Sequence, residues 1–232
     1  MRLGGFQKLT LIDYPGKIAT TVFTVGCSFR CGFCHNPELV LSEMFPPLSN
    51  MEQDFFSFLE KRKGKLDGVC ITGGEPTIQP DILPFMRRVK ELGYAIKLDS
   101  NGTRPDVLRK VFAEGLADYV AMDIKSSLEN YSLAAGVKVD TARIERSVEL
   151  IRCSGLPYEF RTTVVPAIHT EQDFSKIGEW LNGSRAYYLQ EFRPQRTVDP
   201  AFGKKNAKQL DLDAICAALK PNFAKVEVRR SF

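Results

Sequence analysis

Three of the six cysteines in this 232-residue chain are gathered at Cys27-x3-Cys31-x2-Cys34, inside the stretch Val25-Gly26-Cys27-Ser28-Phe29-Arg30-Cys31-Gly32-Phe33-Cys34-His35-Asn36-Pro37. Three thiolates on a short glycine-containing loop suit three irons of a [4Fe-4S] cube and leave the fourth iron without a protein ligand, whereas electron-carrying ferredoxins close that position with a fourth cysteine. An iron left open is one at which chemistry can occur. Two other uses of the loop compete with this. A structural zinc ion would recruit a fourth ligand, for which His35 is available but strained by its position next to Cys34. A redox-active or regulatory disulfide is the other alternative. Cys70, Cys153 and Cys216 stand alone in strand or helix patterns and read as small buried hydrophobes, so no second cluster is expected.

The remaining residues able to do chemistry fall where apolar runs end. Gly73-Gly74-Glu75-Pro76 follows the run Gly68 to Thr72, Asp99-Ser100-Asn101-Gly102 follows Tyr94 to Leu98, and Asp123 and Lys125 close Tyr119 to Ile124. Val165-Pro166 and Gln190-Glu191-Phe192-Arg193 end two later runs. Gly73-Gly74 lets backbone approach a ligand closely, because no side chain intervenes, and Glu75 offers a carboxylate to a positive group; alone, the four residues would read as a turn. Asp99 and Asp123 end neighbouring strands, and their carboxylates would repel unless a cation or basic group stood between them. Two independent solvated aspartates are the plainer reading.

These residues need elements to hold them. Residues 1–17 read as an irregular lead-in with a turn at Asp13-Tyr14-Pro15-Gly16, and Ile18 to Val25 as the first strand. Pro46-Pro47 and the candidate cap Asn50 precede a helix over Met51 to Lys63, and further helices are expected over Asp81 to Leu92, from Pro105 to Gly115, and over Thr141 to Cys153, Gln172 to Leu181 and Leu210 to Leu219. Between them lie the strands named above, with Tyr158 to Val165, Tyr187 to Phe192 and a terminal alternation at Ala224 to Val228. Six β-α units in alternation imply a parallel sheet. They are too few for an eight-stranded barrel, so the expected class is α/β with an open partial (β/α)6 barrel, a flat doubly wound sheet being the competing arrangement. In barrel-like α/β folds the strand ends open onto one face, where active sites form.

Composition narrows the class further. Hydrophobic content of 44%, charged content of 26% and net charge of +4 are ordinary for one soluble globular domain. No apolar run approaches a membrane span, and Met1 to Phe6 lacks the apolar core of a secretory signal. Clustered unpaired cysteines fit a reducing compartment, so the expected location is cytoplasmic. Lys and Arg are dispersed, and the run Lys61-Arg62-Lys63-Gly64-Lys65 reads as a solvated helix end; neither nucleic acid nor membrane is expected as a partner.

Cys27-x3-Cys31-x2-Cys34, with Phe33 before the last cysteine, resembles the signature of the radical S-adenosylmethionine (SAM) enzymes. The resemblance implies one radical SAM domain over residues 1–232, the partial barrel of that family, and an open iron that chelates the amino and carboxylate groups of SAM. Gly73-Gly74-Glu75 resembles the family's GGE motif, which contacts the methionyl ammonium. Asp99-Ser100-Asn101-Gly102 and Asp123-Ile124-Lys125 are similar to the D-[ST]-N-G and D-x-K motifs of activating enzymes for glycyl-radical proteins, which contact the ribose and carboxylate of SAM. By that resemblance Lys125 pairs with the carboxylate, Asp99, Ser100 and Asp123 are candidates to hold a monovalent cation, Phe33 lies beside adenine, and Arg193 falls near a SAM-contacting position. His35 and Asn36 match the same family's Cys-His-Asn-Pro. Arg161 could pair with a carboxylate or touch a ligand, and His169 receives no role.

From Gly5-Phe6-Gln7-Lys8-Leu9-Thr10 to Gln190-Glu191-Phe192-Arg193-Pro194 the chain is similar to the compact activating proteins of anaerobic ribonucleoside-triphosphate reductase, relatives of the pyruvate formate-lyase activating enzymes. This implies hydrogen abstraction from a glycine of a partner glycyl-radical enzyme, the large subunit of anaerobic ribonucleotide reductase, with reduced flavodoxin or ferredoxin as electron donor. The alternatives are a small-molecule radical SAM enzyme such as 7-carboxy-7-deazaguanine synthase and, in another class, an iron-sulfur electron carrier or sensor.

Overall fold

The protein was examined as a computed structural model, which describes residues 1–41, 50–193, 196–202 and 209–230. Its elements run β1 (Leu3–Thr10), β2 (Ala19–Thr24), α1 (Pro37–Val40), α2 (Met51–Lys61), β3 (Gly68–Gly73), α3 (Ile82–Glu91), β4 (Ala95–Ser100) and α4 (Pro105–Ala113). They continue with β5 (Tyr119–Asp123), α5 (Tyr131–Ala135), α6 (Thr141–Arg152), β6 (Tyr158–Val164), α7 (Glu171–Trp180), β7 (Ser184–Glu191), α8 (Leu212–Leu219) and β8 (Phe223–Arg229). The strands lie in one sheet in the order of the sequence, with β1 and β8 at its two ends. β1 is antiparallel to β2, and the pairs β2/β3, β3/β4, β6/β7 and β7/β8 are parallel. The α/β alternation expected from the sequence is therefore present, with six strand-helix units and a terminal strand. Pro46-Pro47 and Pro194 lie outside the described residues.

The lead-in is the exception. Leu3–Thr10 is a strand, and its Phe6 ring packs against Phe55 and Phe58 of α2 at centroid distances of 5.3 and 5.2 Å. Its apolar alternation is broken by Gly4-Gly5, and Gly5 has φ of +150°, next to a register shift against β2. A strand with only one neighbour needs less apolar periodicity than the central ones.

Two compact units are resolved, Met1–Ser28 with Pro37–Ala121 and Arg143–Pro157, and Phe29–Asn36 with Met122–Ala142 and Tyr158–Phe232. In the first, the register of β2, β3 and β4 sorts side chains by face, since successive residues of a strand point to opposite sides. One face carries Val22, Val69, Ile71, Ile96 and Leu98, all fully buried. The other carries Thr21, Cys70 and Lys97 side by side. In the second unit β6, β7 and β8 repeat the division. Phe160, Tyr187 and Val226 share one face, while Arg161, Tyr188 and Glu227 share the other. Each unit thus has an apolar face and a more polar one, and the more polar face holds Lys97 and Asp99 in the first unit and Arg161 in the second.

Candidate active site

In the first unit the glycine pair is required by the chain itself. Gly73 has φ of +115°, and a Cβ there would sit 2.3 Å from the Thr24 nitrogen. At Gly74 a Cβ would sit 2.0 Å from the Gly26 carbonyl oxygen. The backbone before Cys27 approaches the pair closely, sealed by Gly74 N–H to Thr24 C=O (2.8 Å) and Glu75 N–H to Gly26 C=O (2.8 Å). This positions the start of the cysteine loop against the end of β3.

Glu75, expected to offer its carboxylate to a positive group, is held here by the chain's own donors. It is 1% exposed, and its Oε1 accepts from the Thr77 N–H (3.1 Å), the Thr77 hydroxyl and the Ser100 hydroxyl (2.9 Å). Its Oε2 accepts from the Asn101 N–H at 2.6 Å. Burial pushes the Glu75 carboxyl up, and these four donors pull it down without overcoming that. Asn101 in turn donates from Nδ2 to Ser28 Oγ (3.0 Å) and toward Cys27 Sγ (3.7 Å). A chain of contacts therefore runs from Glu75 through Asn101 to the first cysteine. Asp99 is bonded to Lys97, whose side chain is 2% exposed and also lies 3.7 Å from Cys70 Sγ.

In the second unit the rest of the cysteine loop is held from two sides. Arg30 N–H donates to the Ala135 carbonyl at the end of α5 (2.8 Å), so close that a Cβ on Gly136 would meet the Arg30 oxygen at 2.2 Å. Asp199 N–H donates to Gly32 C=O and Val198 N–H to Cys34 C=O, both at 3.0 Å. Phe33 is buried edge-on against Phe192 and tilted against Phe202, with centroids 6.4 and 6.2 Å away. His35 stacks on Phe192, and its Nε2 is 2.8 Å from the Arg193 carbonyl, tying Arg193 to the loop through its backbone.

Asp123 stands between two cations. Lys125 Nζ lies 3.0 Å from Oδ2, and Arg161 Nε donates to Oδ1. Burial alone would raise the Asp123 carboxyl, but Arg161 and Lys125 outweigh it and hold the group well below the usual carboxylate range. Burial would lower Lys125, yet Asp123 and Cys31 keep its ammonium well above the usual lysine value. The Cys31 thiol is pushed up to about 11 by burial, with the nearby Lys125 charge acting against that.

Arg161, for which the sequence leaves a carboxylate partner and a ligand contact both open, and Lys97, which there reads only as part of a strand, join the candidates. The signal for Lys97 was a lysine inside an apolar strand two residues before Asp99, hence on the same face. His169 is a third. It is 2% exposed, its Nδ1 accepts from the Val165 N–H (2.9 Å), and its Nε2 faces the Lys125 carbonyl (2.8 Å), so Nε2 carries the proton. It fastens the end of β6 to the backbone of Lys125. Among the isolated cysteines Cys70 is buried as expected, whereas Cys153 is exposed at the end of α6. Among the described residues no three His, Cys, Asp or Glu side chains gather closely enough to share one metal ion; cysteines on separate irons of a cube need not do so. No helix among the described residues is long and apolar enough to cross a membrane.

A parallel-stranded α/β sheet with a three-cysteine loop after its first parallel strand, Asn101 reaching Cys27 in one unit and Lys125 acting on Cys31 in the other, defines a class. The sequence profile described as the radical SAM superfamily matches residues 21–181, and the chain belongs to that superfamily. It is a radical SAM enzyme, with the α/β partial-barrel fold class of that family. The chain is 30% identical over 207 residues to a protein of Methanocaldococcus jannaschii described as a glycyl-radical enzyme activating enzyme, covering 87% of this chain and 84% of that one. With the pyruvate formate-lyase-activating enzyme of Clostridium pasteurianum it shares 26% identity over 227 residues, 91% of this chain and 87% of the other. The crystal structure of Streptococcus suis SuiB bound to S-adenosylmethionine superposes with a TM-score of 0.68 at 14% identity, over 89% of this chain and 48% of that one.

Proposed function

We propose that this chain is a glycyl-radical enzyme activase: it holds a [4Fe-4S] cluster through Cys27, Cys31 and Cys34, cleaves SAM reductively, and takes a hydrogen atom from a glycine of a partner enzyme. The partner is the large subunit of an anaerobic ribonucleotide reductase, and the electron comes from reduced flavodoxin or ferredoxin. When bound, the cluster supplies the single electron that divides SAM into methionine and the 5'-deoxyadenosyl group that abstracts the hydrogen. What carries the reading is the loop itself: three thiols of one short segment, with Asn101 reaching Cys27 and Lys125 beside Cys31. That loop lies in a chain similar along most of its length to activating enzymes.

The protein supplies position and charge. Lys125 presents an ammonium to the methionyl carboxylate while Asp123 and His169 hold it in place. Ser100 and Asn101, fixed by Glu75, receive the ribose with Asp99. Gly73 and Gly74 set the backbone against which the methionyl end rests, Phe33 and its aromatic neighbours back the adenine, and Arg193 closes the site from the end of β7. No general acid or base is needed, because the step transfers a hydrogen atom.

The test is to mix reduced, SAM-loaded protein with the anaerobic reductase and look for a glycine-centred doublet by electron paramagnetic resonance. The doublet, with 5'-deoxyadenosine formed in step and both lost when Cys27, Cys31 and Cys34 are changed to alanine, is the expected result. A silent spectrum with every glycyl-radical enzyme of the source organism, alongside turnover of a small molecule, would refute the activase reading.

A further inference from the structure

The three side chains expected to share a monovalent cation are Asp99, Ser100 and Asp123, and in this structure each is already engaged. Asp99 is bonded to Lys97, and the two residues lie two apart on β4 and so on one face. Ser100 Oγ donates to Glu75 and accepts from the Gly102 N–H at 3.0 Å. Asp123 is neutralised by Lys125 and Arg161. A buried carboxylate attracts a cation because its own charge is poorly solvated, and that demand ends once a fixed ammonium sits against it. Lys97 is 2% exposed and Asp99 10% exposed, so the pair is built into the sheet and is not a surface contact. Cys70 Sγ, soft and little charged, also lies 3.7 Å from the Lys97 ammonium.

We propose that Lys97 is the resident cation of the Asp99 site, standing where an alkali-metal ion would, so that the protein needs neither Na+ nor K+ there. The assignment concerns the site used above for the SAM ribose and rests on that reading for its purpose, but the charge pairing can be tested without it. The chain works with a lysine it always carries, which frees this site from the ionic composition of the medium. A second ion at the same carboxylate would meet the Lys97 ammonium at contact range and be repelled.

The experiment is thermal unfolding of the full chain, without cluster or SAM, at pH 8 in NaCl, KCl or tetramethylammonium chloride at one ionic strength. An ion that binds only the folded state raises the unfolding temperature by about 5–10 °C when present at a hundred times its dissociation constant. The wild-type protein should unfold at the same temperature in all three salts. Lys97→Met, which leaves Asp99 without its ammonium, should be stabilised saturably by Na+ or K+ over tetramethylammonium, and Lys97→Arg should behave as wild type. Saturable stabilisation of the wild type by a small cation would overturn the proposal, as would a Lys97→Met protein indifferent to the ion. Should Lys97→Met not fold in any salt, the wild-type comparison decides alone. Failure of the wild type to cleave SAM in every salt would count against the function proposed above and not against Lys97.

Discussion

Changing Glu75 to glutamine tests whether this residue acts as a ligand contact or as a strut. The substitution keeps size and shape, and its amide oxygen can stay at the Oε1 position to serve Thr77 and Ser100. The amide nitrogen then occupies the Oε2 position, where it meets the Asn101 N–H at 2.6 Å, donor against donor. Leaving one buried donor unsatisfied costs about 1–3 kcal/mol. For a chain of this length that is a fall in unfolding temperature of roughly 2–12 °C. Asn101 should also loosen from Cys27, lowering the iron held per chain after anaerobic reconstitution. The assay is calorimetry of the cluster-free protein, followed by iron analysis of the reconstituted one. If Glu75 served only to touch SAM, the cluster-free variant would melt with the wild type, and that result would refute the strut.

Gly74→Ala should abolish soluble folded protein, because its Cβ would lie 2.0 Å from the Gly26 oxygen, whereas Gly64→Ala meets nothing within 4 Å and should cost only the left-handed backbone strain of about 1–2 kcal/mol; equal yields and melts for the two would contradict this. Asp173 completes the capping box that Thr170 begins at the start of α7 and accepts hydrogen bonds from Ser127, Asn130 and Thr170; burial pushes its carboxyl up, but these donors win and bring it from 3.8 to about 2. A carboxyl with a depressed folded value stabilises above its unfolded value and loses that contribution as pH falls, so roughly 2 kcal/mol should vanish between about pH 4 and pH 2. In urea titrations Asp173→Asn should flatten that limb, and unchanged pH dependence would show that Asp173 is not its source.

Much of this molecule could be read from its residues because every strand after the first announces itself by an apolar run and the candidate site loops by breaks in those runs. The cysteine spacing and the polar residues after β3, β4 and β5 are local patterns. What escaped notice depends on pairing. Lys97 looks like an interruption in a strand until Asp99 is seen to share its face, and His169 looks like a loop residue until the Lys125 carbonyl is beside it. The packing of Gly73-Gly74 against Thr24 and Gly26 is likewise invisible in the glycines themselves, because it depends on residues some fifty positions earlier. α5 has only five residues, too few for a helical stripe to appear, yet its end anchors Arg30. β1 was hidden by Gly4-Gly5.

The bonds that close the cysteine loop come from far along the chain. Asp199 and Val198, which donate to the Gly32 and Cys34 carbonyls, are made more than 160 residues after them. The anchor at Arg30 waits for Ala135. A nascent chain therefore lacks these two bonds until Val198 and Asp199 have been made, and a truncated product ending before Val198 never forms them. Iron loading, on the function proposed here, belongs after Asp199 has been made, and the period before it is when oxygen or a stray metal finds these cysteines least protected.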